Sequence, residues 1–305
     1  KQMKWSQTSL LAAIEQTYGT LPGAMLAMLT KDIELRPLEG EEVERGLNTP
    51  YLGAEESMFT NEYAGISFKV ELVGSGTLGV APAWGPLMRA CGMAEVIVAD
   101  TSVEYTPISD APESVAMHFQ LGRNKHTLLG AQGNVSIELE KGIPYLSFDF
   151  KGLYVAPEDN ALPTADFSAW PKPIPLGAGR TTDFELHGFE VVPSKLSIDA
   201  GNEVEFDPTL TTAKIEFLDR AMSGSVNIAA PNVADIDFFT RAKDSTTGNL
   251  QIKHGPAGGH RVTISCPKVQ VKQPKYVERT KKAELEMALA ILPQTGNDEF
   301  SLLLD

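Results

Sequence analysis

Apolar and polar residues alternate with a period of two along most of this 305-residue chain. Alternation predicts β-strands, because successive side chains of a strand point to opposite faces of the sheet. It occurs at 66–73, 102–108, 115–121, 134–140, 145–152, 195–200, 203–206, 213–218, 225–230 and 249–254. The pattern predicts a mainly β fold, made of β-sandwich or β-barrel domains with one short helix each.

Helical spacing of apolar residues is found at 9–19, 83–92 and 232–244, which we predict to be short helices. The segment 282–292 fits both periods, and its Ala, Glu and Leu content favours a helix. The repeat described next places it opposite 145–152, so we predict a strand. Residues 299–305 are predicted to form a last strand or an arm.

The chain resembles itself across its middle. The segment HRVTISCPKVQV (260–271) matches HTLLGAQGNVSI (126–137) at an offset of 134 residues, and Gly65 matches Gly224 at an offset of 159. The order of elements is also the same in both halves. We interpret this as a tandem duplication of a β-rich unit, the alternative being that any two β domains alternate alike.

A proline-rich segment separates the two halves. Residues 156–179 contain five prolines, which are incompatible with the interior of a sheet and typical of a semi-rigid linker or an arm. The predicted organisation is a first domain at 1–155, this linker, and a second domain at 180–305.

Composition excludes several classes of function. The net charge of −14 argues against a groove that binds nucleic-acid phosphates and against docking on an anionic membrane. Two cysteines are too few for a disulfide framework. No apolar run is long enough to span a membrane, so membrane insertion is not expected, and no leader pattern predicts secretion.

One motif suggests an enzyme. GSGTLG (74–79) fits the dinucleotide-binding pattern GxGxxG, with Asp100 in the ribose-binding place. However, Lys69 and Glu71 alternate with apolar residues in the preceding strand, whereas a central parallel strand is apolar on both faces. Two prolines at 82–86 would also shorten the following helix. A plain turn is the favoured interpretation.

Other catalytic patterns are weaker still. The five histidines lack metal-ligand spacing, and no G-x-S-x-G motif is present. Asp149 and the acidic run at 41–44 are more typical of solvated strand faces and turns than of general acid–base groups. We therefore predict no enzyme, no catalytic residue, no metal and no cofactor.

The edges of the predicted sheets and one long loop indicate assembly. Sheet edges must be closed, blunted or paired with another chain, and few charged or proline blocks protect these strands. The 21-residue segment 45–65 is too long for a simple turn, and loops of this length are usually functional.

Three segments together resemble the first half of tail tube (major tail) proteins of long-tailed bacteriophages, closest to those with flexible, non-contractile tails. They are QTSLLAAIEQTYGTLP, IELRPLEGEEVERGLNTPYLG and AGISFKVELVGSGTLGVAPAWGPLMRACG, in the family's order. The resemblance covers about the first 95 residues well and the remainder by element order.

The resemblance implies a structural virion protein that polymerises into stacked rings and forms the conduit for DNA ejection. Because family rings usually hold six domains, a duplicated chain implies a homotrimeric ring with pseudo-sixfold symmetry, the alternative being a homohexamer. The implied partners are further copies, the tape measure protein in the lumen, tail terminator and distal tail proteins, and phage DNA as transient cargo. The implied location is the virion tail, assembled in the host bacterial cytoplasm.

Residue predictions follow from these positions. The stacking loop between rings is predicted to include Thr49, Pro50, Tyr51, Leu52, Glu55, Glu56, Phe59 and Tyr63. An acidic lumen or seam is predicted to include Glu39, Glu41, Glu42 and Glu44. The predicted core includes Phe68, Val70, Leu72, Phe148, Phe150, Ile228 and Val269, with Trp84, Leu87, Met88, Phe238 and Phe239 holding the helices.

Three other functions are open at this point. A carbohydrate- or receptor-binding β-module of a virion would share the β content but should have an exposed aromatic loop. The tube of a contractile injection machine would share ring assembly, although its subunits usually have a single domain. A nucleotide-binding enzyme using residues 74–79 is the least favoured.

Overall fold

The computed structural model describes residues 4–305 and is mainly β, with 55% of residues in strands and 4% in helices. The predicted fold class is therefore confirmed. In chain order the elements are β1 (Thr8–Ile14), β2 (Leu26–Met28), β3 (Thr30–Glu44), β4 (Ser57–Glu71), α1 (Gly85–Arg89), β5 (Met93–Val98), β6 (Ser102–Pro107), β7 (Val115–Leu121), β8 (Asn124–Leu139), β9 (Tyr145–Tyr154), β10 (Glu158–Asp159), β11 (Thr181–Leu186), β12 (Phe189–Glu190), β13 (Pro193–Asp199), β14 (Asn202–Pro208), β15 (Ala213–Arg220), β16 (Ser223–Ala229), α2 (Phe238–Lys243), β17 (Thr247–His254), β18 (Val262–Arg279), β19 (Lys282–Ile291) and β20 (Ser301–Leu304).

The strands of the two halves pair in the same antiparallel order. In the first half the order is β1–β7–β8–β9–β4–β3. In the second half it is β11–β17–β18–β19–β16–β13. A duplication would produce this agreement, and the tandem duplication stays a prediction.

The twelve-residue match that suggested the repeat is in the wrong register. His126 lies inside β8, whereas His260 precedes β18. Leu128 of β8 lies opposite both β7 and β9. In β18, Val269 and Gln270 both have the corresponding partners, and only Val269 is buried as Leu128 is. The strands therefore correspond at an offset of 141 (269 − 128), and the offset of 134 arose because alternating strands match at many registers.

The two halves share hydrogen-bonded strands and one contiguous core. Residues 136–139 of β8 pair with 196–199 of β13, which joins the two halves in one sheet. β20 pairs with β6 and β18 and makes a second junction. All seven predicted core residues are buried, as are Trp84, Leu87, Met88 and Phe238, while Phe239 is partly buried against the core.

The proline-rich segment lies against the body of the protein. Trp170 is buried, and its indole N–H donates to the carbonyl oxygen of Ala27 at 2.9 Å. His254 makes a hydrogen bond of 2.9 Å to the carbonyl oxygen of Ile174, and β10 pairs with the start of β8. The segment is thus held at several points along its length.

The predicted N-terminal helix at 9–19 is wrong, because this segment contains strand β1 instead. β1 lies between β2 and β7, so both of its edges make sheet hydrogen bonds, which outweigh the local helical spacing. The buried carboxylate of Glu15 then fixes the following turn by accepting from the backbone N–H groups of Gly19 (2.8 Å) and Gly130 (2.7 Å).

The remaining secondary-structure predictions are largely confirmed. Helices form at α1 and α2, both shorter than predicted, and Asp237 caps α2 by accepting from the N–H groups of Phe239 and Thr240 at 3.0 Å. The ambiguous segment 282–292 forms strand β19, and the last residues form β20.

Replacing Trp84 should strongly destabilise the protein. Its indole is fully buried, packs on Tyr105 with ring centroids 5.2 Å apart, and donates to the carbonyl oxygen of Val73 at 2.8 Å. We expect Trp84→Ala to lower the free energy of unfolding by about 3–5 kcal/mol, measured by urea unfolding followed by circular dichroism. Tyr51→Ala, at a position that is 82% exposed, is the control and should leave the midpoint unchanged. Equal midpoints for both variants would contradict the role of Trp84.

Candidate assembly surfaces

A long two-stranded ribbon extends from the sheet of the first half. We define the β3–β4 ribbon as residues 37–44 of β3, residues 57–63 of β4 and the loop 45–56 between them. Its strands are in antiparallel register, with Val43 opposite Met58 and Glu44 opposite Ser57. A bulge interrupts the pairing near Asn61, which has a positive φ of 55°.

The four predicted acidic residues all lie on β3 within this ribbon. Glu41, Glu42 and Glu44 are exposed, and Glu39 is half-buried. Glu41 accepts a hydrogen bond from the side-chain amide of Asn61 at 3.0 Å, and Glu42 accepts one from the Ser57 hydroxyl at 3.2 Å. The four carboxylates therefore make this part of β3 strongly negative.

The predicted stacking residues are divided between the loop and the strand. The loop covers 45–56 rather than 45–65, so Thr49, Pro50, Tyr51, Leu52, Glu55 and Glu56 lie in it and are exposed. Phe59 and Tyr63 lie on β4. The longer loop was wrong because β3 and β4 continue as a ribbon beyond the rest of the sheet. Tyr63 stacks on Phe206 of β14, with centroids 5.3 Å apart, and is thus part of an internal contact.

A second hairpin, β14–β15, is docked on the sheet of the first half. The Asn202 amide donates to the carbonyl oxygens of Cys91 (2.8 Å) and Gly133 (3.1 Å). The Tyr18 hydroxyl accepts from the backbone N–H of Ile215 at 2.6 Å. Arg220 donates to the carbonyl oxygen of Ile108 at 2.7 Å. Sequence patterns did not indicate this docking, because its partners come from distant parts of the chain.

Within residues 4–305, β3 and the last part of β18 each have an unpaired edge. β3 pairs only with β4, and residues 271–279 of β18 pair only with β19. Between these edges eight strands run side by side in the order β3–β4–β9–β8–β13–β16–β19–β18. The edges thus lie at opposite ends of one eight-stranded sheet.

The glycine-rich turn at 74–79 is a packing site. The backbone N–H of Gly76 donates to the carbonyl oxygen of Gly259 at 3.1 Å, and a Cβ on Gly74 would lie 2.1 Å from that oxygen. The turn is therefore glycine-rich because the second half's backbone crosses it closely. The following helix has only five residues, so it offers a poor site for a pyrophosphate.

Burial shifts the pKa values of several titratable groups in the described chain. Burial raises the pKa of the Cys91 thiol well above its usual value and that of Cys266 to about 12, which disfavours a reactive thiolate. Burial also lowers the pKa of His187 and His254. Among residues 4–305 no group of three or more His, Cys, Asp or Glu side chains is placed to hold a metal, and no helix is long and apolar enough to cross a membrane.

Comparison with known families decides among these interpretations. The model of the phage tail tube protein family matches residues 5–289. The chain belongs to the phage tail tube protein family. The resemblance found in the sequence is thereby confirmed, and the function is that of a structural virion protein of the tail tube. No curated protein matches the chain significantly.

The glycine turn provides a test of the packing interpretation. We expect Gly74→Ala to lower the melting temperature, because the new methyl group would collide with the carbonyl oxygen of Gly259. Addition of NAD or NADP to the unaltered tail tube protein should leave its melting temperature unchanged. A dinucleotide that stabilises the unaltered protein but not Gly74→Ala would overturn the packing role. Gly53→Ala is a matched control, since nothing lies within 4 Å of a Cβ there.

Proposed function

We propose that this tail tube protein joins copies edge to edge into rings, and that the stacked rings form the channel through which phage DNA passes. The observation that carries the proposal is the junction of β8 with β13 inside one chain. It joins the last strand of one half-sheet to the first strand of the other. In the repeat, β18 corresponds to β8 and β3 corresponds to β13. The free edges of β18 and β3 lie at the two ends of the eight-stranded sheet.

A ring follows if the external junction copies the internal one. The edge of β18 in one copy would pair with the edge of β3 in the next, and a heterologous contact of this kind closes a ring at a fixed rotation. The shared pairing order of the halves supports two tube domains per chain, at 1–155 and 180–305, joined by the arm at 156–179. Three copies would then give a pseudo-sixfold ring, whose common sheet has three times eight strands.

The charge of the protein suits passage of DNA. Each chain contributes a net charge of −14, so a ring has a strongly negative surface. A wall of like charge repels phosphates and lets DNA slide without binding. In this proposal DNA is transient cargo, the tape measure protein occupies the lumen before ejection, and terminator and distal tail proteins cap the tube. Assembly takes place in the cytoplasm of the host bacterium.

Electron microscopy of the purified protein over a concentration series tests the ring. We expect rings or tubes with three chains and six similar lobes, viewed down the axis. Rings of six chains would keep the tube function and contradict two tube domains per chain. Monomers at every concentration, also after addition of a tail-tip complex as a nucleus, would overturn self-assembly of this chain.

The exposed loop 45–56 is proposed to connect successive rings, as the position of Tyr51 and Leu52 at the end of the ribbon suggests. Both side chains are almost fully exposed, although they are large and apolar. Deleting residues 48–55 should leave the melting temperature unchanged and give rings that do not lengthen into tubes. Replacing the same residues with a Gly-Ser segment of equal length controls for closure of the ribbon. Tubes of normal length from both variants would contradict the stacking role.

A further inference from the structure

The β3–β4 ribbon has a close counterpart inside the same chain. Residues 40–44 read GEEVE and end strand β3, and residues 201–205 read GNEVE and lead into strand β14. Cross-strand register agrees at two consecutive pairs. Val43 lies opposite Met58 as Val204 lies opposite Phe217, and the glutamate that follows each valine is paired next.

The two glycines of these segments also share a function. A Cβ on Gly40 would lie 2.8 Å from the carbonyl oxygen of Thr60, and one on Gly201 would lie 2.1 Å from that of Ala221. In each hairpin the glycine therefore permits a close approach to the opposite strand. The agreement in sequence, register and backbone contact identifies the ribbon and the β14–β15 hairpin as the same substructure in two places.

Only one of the two hairpins is covered. Val204 is 8% exposed, and Phe217 lies over Gly92. In the ribbon, the corresponding Val43 and Met58 are 44% and 53% exposed. An apolar pair that is covered in one hairpin is thus left uncovered in the other, which indicates a surface that is missing its partner.

The charges of the two hairpins differ in the same way. Glu205 forms an ion pair with Lys151 of β9, with the two atoms 2.9 Å apart. The corresponding residue of the ribbon is Glu44, at an offset of 161. Within residues 4–305 no lysine or arginine lies within ion-pair distance of Glu44.

The second half carries a lysine at the place where Glu44 would need one. Tyr154 of β9 corresponds to Ile291 of β19, so Lys151 corresponds to Ala288, three residues earlier in each strand. The direct cross-strand neighbour of Ala288 is Lys272 of β18. Each half therefore has a lysine in the same cross-strand pair, on β9 in the first half and on β18 in the second.

The surface around Lys272 is open. Lys272 and Ala288 are exposed, whereas the corresponding face of the first half is covered by β14–β15. Beside them is a groove of about 570 Å³, lined by Lys272, Leu289, Ala290, Met222 and Ser223 among others. Its apolar floor and single free lysine are complementary to an apolar pair flanked by glutamate.

We propose that the β3–β4 ribbon of one copy docks on the β18–β19 face of the next copy, in the way that β14–β15 docks inside the chain. Val43 and Met58 enter the groove, and Glu44 forms an ion pair with Lys272. This contact deepens the proposed ring assembly and rests on it, because the β18 and β3 edges of the same two copies meet beside it. The partner is a second copy of this chain.

Charge complementarity supports this choice of partner. The ribbon carries Glu39, Glu41, Glu42 and Glu44, while the β18–β19 hairpin carries six cationic side chains against three glutamates. The cationic residues are Lys268, Lys272, Lys275, Arg279, Lys281 and Lys282. Attraction between these surfaces would orient approaching copies head to tail and weaken as salt concentration rises.

Reversal of single charges tests the ion pair. We expect Glu44→Lys and Lys272→Glu each to raise the concentration at which rings form by about tenfold, measured by light scattering and sedimentation. The double variant should recover much of the lost assembly, since the pair is restored with opposite polarity. Glu62→Lys is the matched control, an exposed glutamate on the same ribbon that takes part in neither this contact nor the stacking loop. Additive losses without recovery in the double variant would overturn the contact.

Chemical cross-linking tests the contact without relying on energetics. Both native cysteines are fully buried, so Glu44→Cys and Lys272→Cys can be made in separate chains and mixed with a short bis-maleimide. We expect covalent dimers only in the mixture of the two variants. Lys151→Cys with Glu205→Cys in one chain is the internal control and should cross-link without forming dimers.

The outcomes separate this contact from the tube itself. Rings or tubes that assemble normally yet yield no covalent dimer and no recovery would overturn the docking and leave the tube function in place. Failure of the unaltered chain to form rings under any of the stated conditions would overturn both.

Discussion

The structure depends on the pairing of strand edges. A strand has hydrogen-bonding backbone groups on both sides, and an edge that stays unpaired invites another strand. Inside this chain the junction of β8 with β13 satisfies two such edges and joins the halves into one sheet. The same constraint acts at β3 and at residues 271–279 of β18, where pairing within the described chain ends.

Packing of large side chains in the core fixes the shape of this sheet. Phe68, Phe148 and Phe150 lie within about 6 Å of one another across β4 and β9, and Trp84 fixes α1 beneath the same layer. The glycine turn at 74–79 then brings the second half into close backbone contact. Both ends of the eight-stranded sheet are thereby held by a single core, so the spacing of the two free edges is set by folding.

Most of this framework was predictable from local pattern. Alternation identified β4, β8 and β9 and their buried residues, because strands with one buried face place apolar side chains at every second position. It failed at β1, where the continuous apolar run 10–14 fits both periods and only the neighbours β2 and β7 decide the outcome. It also misaligned the repeat, since alternation fixes the face of a strand and leaves its register free.

The docking surfaces lay beyond such patterns for a related reason. Lys151 and Lys272 occupy the same cross-strand pair on different strands, so no alignment of the two halves places one lysine on the other. The signal present in the sequence was the glycine, valine and glutamate shared by 40–44 and 201–205, which has meaning only when the cross-strand register is known.

One hairpin present twice, once covered and once uncovered, gives the contact between copies a direction. The ribbon lies in the first half of the chain and the β18–β19 face lies in the second. Each copy therefore offers a ribbon to one neighbour and an open β18–β19 face to the other. Two identical ribbons cannot satisfy each other, because both are acidic and would repel. The proposed contact is therefore heterologous, and its chemistry favours closure into a ring over pairing into an isolated twofold dimer.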